Sequence, residues 1–367
     1  MLRVAMISPL FESVPPRLYG GTERVVFQLC QGLHDQDIEV VLFASGDSMV
    51  ECALQAMVPE ALRLRQPAVH DPLAFHFKMM SEVARRAHEF DLIHNHSDYW
   101  MLPLTQMSKT PVLTTLHGRL DLSDSHAAYR AFPHSPFISI SDAQRRPMMD
   151  LNWLRTIHHG LDLEGFEYHP QPGQYLAFLG RISEEKRPEW AIQIAKQSGI
   201  PLKIAAKIEG QVGQEYYSQF IQPHVDGRFI EYVGEISERE KSEFLGNALA
   251  LVFPIDWPEP FGLVMIEALA CGTPVLARPC GSVPEILKDG LTGFLHSDLE
   301  VLAQKVQLLP QINRRDCRHW VESHFSLQRM TEDYLHVYRQ LAATPGSAHY
   351  HRRDILHPLK RAPLRNS

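Results

Sequence analysis

Apolar residues along this chain fall into short strand-like runs separated by segments in which they recur every three or four positions. The two kinds alternate from the first residues onward. Residues 3–7 read as a strand, 22–33 carry a helical period and 39–44 return to strand, which together open a βαβ unit. Runs at 91–94, 112–116 and 137–141 continue the pattern and fit a parallel sheet buried on both faces. Residues 161–174 contain Gly, Pro and acidic residues without a sustained period, which predicts an interdomain connection. The alternation then restarts, with strands expected at 175–179, 202–206, 228–233, 250–253 and 274–277 and helices at 188–197, 238–247 and 262–271. Met330, Tyr334, Val337, Tyr338 and Leu341 mark one face of a last helix able to pack back on the first domain.

The expected organisation is α/β with two doubly wound, Rossmann-like domains. Residues 1–160 form the first and 161–174 the linker; 175–325 form the second, 326–343 the returning helix and 344–367 a mobile basic tail. That tail carries Arg352, Arg353, Lys360, Arg361 and Arg365 against only Asp354, with no apolar period. Two such halves turn the carboxyl ends of their strands toward a shared crevice, where ligands bind in open α/β sheets.

Length agrees with two domains, since 367 residues exceed the roughly 250–300 at which single cores stop growing. A composition 44% hydrophobic and 22% charged is that of a globular protein, and no run approaches the roughly 20 apolar residues of a membrane span. The first ten residues lack a basic segment followed by an apolar one, so a cytoplasmic location is expected. Cys30, Cys52, Cys271, Cys280 and Cys317 are odd in number, scattered and without Cys-x-x-Cys spacing, which argues against a disulfide framework and a structural zinc site. A net charge of −7 disfavours nucleic acid and anionic lipid as partners. Arg85 and Arg86 beside apolar residues would support at most weak peripheral membrane contact, and a solvated helix face is the favoured reading. Nothing here sets an oligomeric state.

The densest chemistry lies in Glu259-Pro-Phe-Gly-Leu-Val-Met-Ile-Glu267. Pro260 and Gly262 punctuate a loop; Leu263, Ile266 and Leu269 then recur at helical spacing until Gly272-Thr273-Pro274 ends the element. The helix starts near Gly262 or Leu263, and its free first-turn N–H groups and positive dipole end suit a diphosphate without a metal. Glu259 and Glu267 flank that anion site as acceptors for sugar hydroxyls; an acidic first turn would be the plain structural explanation of an isolated pair. Gly20 and Gly21 stand between the first strand and its helix and allow close ligand approach, with neither a P-loop nor a dinucleotide fingerprint. Arg181 and Lys186, just before Pro188 opens a helix, bring two cations to the cleft edge, able to neutralise a leaving diphosphate in place of Mg²⁺. His117 ends a strand before Gly118 and should project into the crevice, although a lone His is usually structural. His94-Asn95-His96 shows no third ligand at metal spacing, so His96, Ser97 and Asp98 are read as lining the acceptor side.

Four landmarks, Gly-Gly-Thr-Glu at 20–23, Leu-His-Gly at 116–118, Gly-Arg-Ile-Ser-Glu-Glu-Lys at 180–186 and the Glu259 to Glu267 segment, stand in the order of, and together resemble, the retaining glycosyltransferases of family 4. The likeness spans roughly residues 1 to 340. It implies the two-domain GT-B architecture and sugar transfer from a nucleoside diphosphate donor with no cofactor or metal. By the same resemblance Glu259 holds donor hydroxyls near the sugar's 3 and 4 positions, and Glu267 binds the ribose. Gly20, Gly21, Arg181, Lys186 and the helix start at Phe261, Gly262, Leu263 and Val264 hold the diphosphate. Lys207 and Gly234 touch the donor and its base, His117 lies beside the anomeric centre, and His96 and Asp98 belong to the acceptor side. Gly281 and Glu285 also resemble the family, although a turn and a helix opened by Pro284 explain them equally.

Two departures stand out: Lys186-Arg187-Pro188 replaces a frequent Lys-Gly, and Ala206 stands where Gly is common, leaving the base pocket, and UDP against GDP, open. The leading expectation is a metal-independent retaining transferase moving a hexose, most simply glucose from UDP-glucose, to a hydroxyl acceptor that the loops do not identify. A GT-B phosphorylase would require a pyridoxal phosphate lysine and a much longer chain. A UDP-sugar epimerase of the same architecture and a catalytically lapsed nucleotide-sugar binding protein are the remaining alternatives.

Overall fold

A computed structural model describes residues 2–18 and 20–343; the basic segment 344–367 lies outside the described residues. The first sheet contains β1 (Arg3–Ile7), β2 (Glu39–Ser45), β3 (Ala53–Val58), β4 (Leu92–Asn95), β5 (Val112–Thr115), β6 (Phe137–Ser139) and β7 (Trp153–Thr156). These seven strands run parallel in the order β3-β2-β1-β4-β5-β6-β7. The second sheet contains β8 (Leu176–Arg181), β9 (Leu202–Lys207), β10 (Ile230–Gly234), β11 (Ala250–Phe253), β12 (Val275–Ala277) and β13 (Gly293–Leu295), in the order β10-β9-β8-β11-β12-β13. It too is parallel throughout. Strands such as β1, β4 and β11 are almost wholly buried, as expected of a parallel sheet covered on both faces, and β4 buries His94 and Asn95 along with Leu92 and Ile93.

In each sheet the winding direction reverses at one place, between β1 and β4 and again between β8 and β11. Loops leaving those strands splay apart there and open a crevice at their carboxyl ends. The helices that matter for it are α1 (Gly21–His34), α2 (Pro72–Arg86), α3 (Pro188–Ser198), α4 (Glu238–Gly246), α5 (Leu263–Ala270) and α6 (Leu327–Ala342). On α2, Arg85 pairs with Glu82 at 2.6 Å and, just beyond, Arg86 pairs with Glu89 at 2.8 Å, so both cations are engaged within their own surface. Among the described residues no helix is long and apolar enough to cross a membrane.

Helix α6 returns to the first domain and packs along α1, burying the face that the sequence marks: Met330, Tyr334, Val337, Tyr338 and Leu341. Each such side chain is worth about 1.5–3 kcal/mol of transfer free energy, so this face anchors the helix firmly. The chain re-enters through a tight crossing in which Leu161 N donates to Phe325 O at 2.8 Å and Leu327 N donates to Leu161 O at 2.8 Å.

Candidate active site

A cavity of about 620 Å³ lies between the strand ends of the two sheets and takes its walls from both domains. Helices α1 and α5 start on opposite sides of it, close enough that a Cβ at Gly21 would stand 4.0 Å from Leu263 Cδ1. Gly262 caps α5 with φ 81°, a left-handed conformation that costs other residues strain. A Cβ there would also come within 2.8 Å of Met265 Cε. Both helix starts thus present unpaired backbone N–H groups and their positive dipole ends to the cavity.

Four carboxylates organise the cations around these helix starts. Glu259, 7% exposed, accepts from Lys186 Nζ, and the same Oε2 accepts from Trp257 Nε1 at 3.1 Å. Lys186 Nζ in turn lies 5.0 Å from the Trp257 ring centre. The Glu259 backbone is clamped from behind: Ser282 N donates to its carbonyl at 2.9 Å, and a Cβ at Gly281 would overlap its N and O atoms. Gly281 therefore serves Glu259 by close approach. Glu267, 2% exposed, accepts from Lys241 Nζ at 2.9 Å, and Lys241 also pairs with Glu238 at 3.0 Å. Glu238 then reaches across the cleft to Arg24 of α1 at 2.5 Å. On the third side Glu209 meets Arg181 at 3.4 Å, Lys207 at 3.7 Å and Arg63 of the first domain at 3.7 Å.

His117 follows β5 and lies at the cavity wall, where burial drives its imidazole pKa down to about 3, so the ring is neutral at physiological pH. Its Nε2 is 2.7 Å from His96 Nδ1, and its ring stacks on His159 with centres 5.4 Å apart. His96, 2% exposed, uses its other nitrogen on His94 Nδ1 at 3.1 Å. His96 therefore stands behind His117 with both ring nitrogens engaged. Asp98 lines the cavity near Gly118, accepts from Tyr129 Oη and from Tyr99 N at 3.1 Å, and has its pKa raised by burial.

The structure gathers Gly20, Gly21, Arg181, Lys186, Lys207, Phe261, Gly262, Leu263, Val264, Glu259 and Glu267 around one space with His117, His96 and Asp98. Gly234, with φ 84°, sits one residue before Glu235 and Ile236, which form the wall itself. The sequence reading missed Lys241, Arg24 and Glu238, whose charges look like solvated helix positions until the two domains are assembled. It also missed Glu23 in the first turn of α1, whose carboxyl is pushed up to about 7 by burial.

Two Rossmann-like domains facing a cleft at their strand ends define the GT-B fold. Residues 19–165 match the model described as Glycosyltransferase Family 4 and residues 166–322 that of Glycosyl transferases group 1, and the chain belongs to this family. A phosphatidyl-myo-inositol mannosyltransferase of Mycolicibacterium smegmatis is 26% identical over 327 residues, covering 80% of each chain. A D-inositol 3-phosphate glycosyltransferase of Mycobacterium tuberculosis is 25% identical over 285 residues, 68% of this chain and 55% of that one. An uncharacterised Klebsiella pneumoniae protein, 24% identical over 45% of this chain, is matched over 46% of its length, so this chain spans about half of two of these three relatives. Among solved structures, sucrose-phosphate synthase from Thermosynechococcus elongatus superposes with a TM-score of 0.77 at 20% identity, covering 94% of this chain and 100% of that one. HepE of Anabaena, solved with UDP-glucose, gives 0.71 at 17% identity over 92% and 100%. At such identities the structural likeness is one of fold.

Proposed function

We propose that this chain is a retaining hexosyltransferase that moves glucose from UDP-glucose to a hydroxyl acceptor without a metal ion. The observation that carries the reading is the open start of α5, set between two buried carboxylates, Glu259 and Glu267, each already held by a lysine. The diphosphate lies across the starts of α1 and α5, against Gly20, Gly21 and the backbone of Phe261, Gly262, Leu263 and Val264. Arg181, Lys186 and Lys207 neutralise charge as the sugar–phosphate bond breaks. Glu267 takes the ribose hydroxyls and Glu259 the sugar hydroxyls, while the base lies toward Gly234, Glu235 and Ile236. His117, neutral, sits beside the sugar. Asp98 faces the acceptor from the rim, with His96 supporting through His117.

In the reaction the acceptor oxygen bonds to the anomeric carbon on the face from which UDP departs. The bond from that carbon to the phosphate oxygen breaks, and the phosphate takes the acceptor's proton. The binding of UDP-glucose by HepE, a protein of the same fold, supports the donor assignment. A nucleotide-sugar donor and five free cysteines fit the reducing cytoplasm.

The test is nucleotide release from UDP-glucose, UDP-N-acetylglucosamine and GDP-mannose in EDTA with a panel of hydroxyl acceptors, with the product anomer read by NMR. Release is expected to be fastest from UDP-glucose, with an α-linked product. An inverted product, or donor conversion without any acceptor, would overturn the reading, the latter in favour of an epimerase.

A further inference from the structure

Three histidines of the first domain and a tyrosine of the last helix form one continuous hydrogen-bonded line running from the cleft into the core. His117 Nε2 meets His96 Nδ1 at 2.7 Å, and His96 Nε2 meets His94 Nδ1 at 3.1 Å. The Tyr338 hydroxyl lies 2.6 Å from that same His94 Nδ1, and His94 Nε2 lies 2.8 Å from Thr115 Oγ1. His94, His96 and Tyr338 are at most 2% exposed, so no water competes along the line. Burial depresses the pKa of all three imidazoles, so each carries one proton.

One proton per ring makes the line directional. The Tyr338 phenol has His94 Nδ1 as its hydrogen-bond partner among the described residues, and it satisfies its own O–H by donating there. His94 then holds its proton on Nε2, where Thr115 Oγ1 accepts it. His94 Nδ1 then shares its one lone pair between two donors, the phenol at 2.6 Å and His96 Nε2 at 3.1 Å, since a bare His96 Nε2 would set two lone pairs face to face; His96 therefore keeps Nδ1 bare. His117 must therefore donate from Nε2.

We infer that Tyr338, through His94 and His96, is a positioning residue that fixes His117 in the tautomer presenting a bare Nδ1 to the cleft. Resting on the placement of His117 beside the donor sugar, this assigns the ring as an acceptor for a sugar hydroxyl and gives it no proton to offer a carboxylate at the same position. It also gives α6 a part in the chemistry: the returning helix delivers the group that sets the direction of the line.

Nitrogen-15 NMR of the full chain with labelled histidine reads this directly, since bare and protonated ring nitrogens resonate far apart. The parent protein should show His117 in a single form protonated on Nε2. Tyr338→Phe removes the orienting proton, and His96→Asn is too short to bridge its neighbours. In each, His117 should become a mixture of tautomers, and kcat/KM for UDP-glucose should fall about tenfold, the worth of one hydrogen bond, while UDP affinity stays within about twofold. A His117 protonated on Nδ1 in the parent, or an unchanged single tautomer in both variants, overturns the inference. Failure of the parent to bind UDP counts instead against the proposed transferase function, because the tautomer is read without any ligand.

Discussion

Glu23 and His117 look into the same cleft, and burial shifts them in opposite senses. The Glu23 carboxyl rises from its ordinary 4.5 to about 7. The folded chain thus holds this proton more tightly than the unfolded one, so its stabilising linkage is complete below pH 4.5 and lost as pH rises through 7. Glu23→Gln cannot ionise, and the difference in Tm between variant and parent should grow more positive from pH 5 to 9 by scanning calorimetry; a flat difference would contradict the burial argument. His117, lowered from 6.5 to about 3, behaves inversely. Its contribution is full above pH 6.5 and is lost progressively toward pH 3, because there the unfolded chain takes the proton first. His117→Asn should therefore lose less Tm than the parent between pH 6.5 and 4. Neither shift was legible in the sequence: Glu23 reads as an ordinary acidic first-turn residue, and its burial beside Glu12, Arg24 and Arg63 depends on residues far apart in the chain. Glu259 and Glu267 were legible because loop, glycine and helical period lie within nine consecutive residues. Lys241 was not, because Glu-Arg-Glu-Lys in a charged helix has the look of a solvated face.

At the scale of elements, the apolar runs located β1 and β11 to the residue and the other central strands to within about two. The misses have physical reasons. Strands β3 and β7 are the two edges of the first sheet, with only two positions of each buried, and β13 is three residues long and opens on Gly293, so none shows the pattern of a strand covered on both faces. The start of α5 was read correctly from Gly262, and its left-handed φ gives a sharp expectation. Gly262→Ala should cost about 1–3 kcal/mol in urea unfolding and weaken UDP binding as well, since the strain falls on the turn that faces the diphosphate. Helix α4 carries a second expectation. Lys241→Met should raise the KM for UDP-glucose about tenfold, the worth of a charge-assisted hydrogen bond to Glu267, with kcat little altered. A drop in kcat at constant KM would place Lys241 outside donor binding.

For the molecule as a whole, length and the twice-repeated strand–helix alternation made two facing domains readable, and the apolar stripe on α6 gave its return. Which charges meet across the cleft was not readable, because that depends on how the returning helix seats one domain on the other. Arg24 with Glu238, and Arg63 with Glu209, now tie the lobes together. A double-mutant cycle on Arg24→Met and Glu238→Gln should give a coupling of about 0.5–1 kcal/mol that shrinks as salt rises; additivity at low salt would remove the pair's part in joining the lobes. Each donor-side cation already has a carboxylate partner, so binding an anionic donor must redistribute these pairs. Calorimetric titration of UDP-glucose into the full chain in EDTA tests the central claim most directly. One-to-one binding that EDTA leaves unchanged is the predicted result; binding abolished by EDTA and restored by Mg²⁺ or Mn²⁺ would contradict a diphosphate held by helix starts and cationic side chains alone.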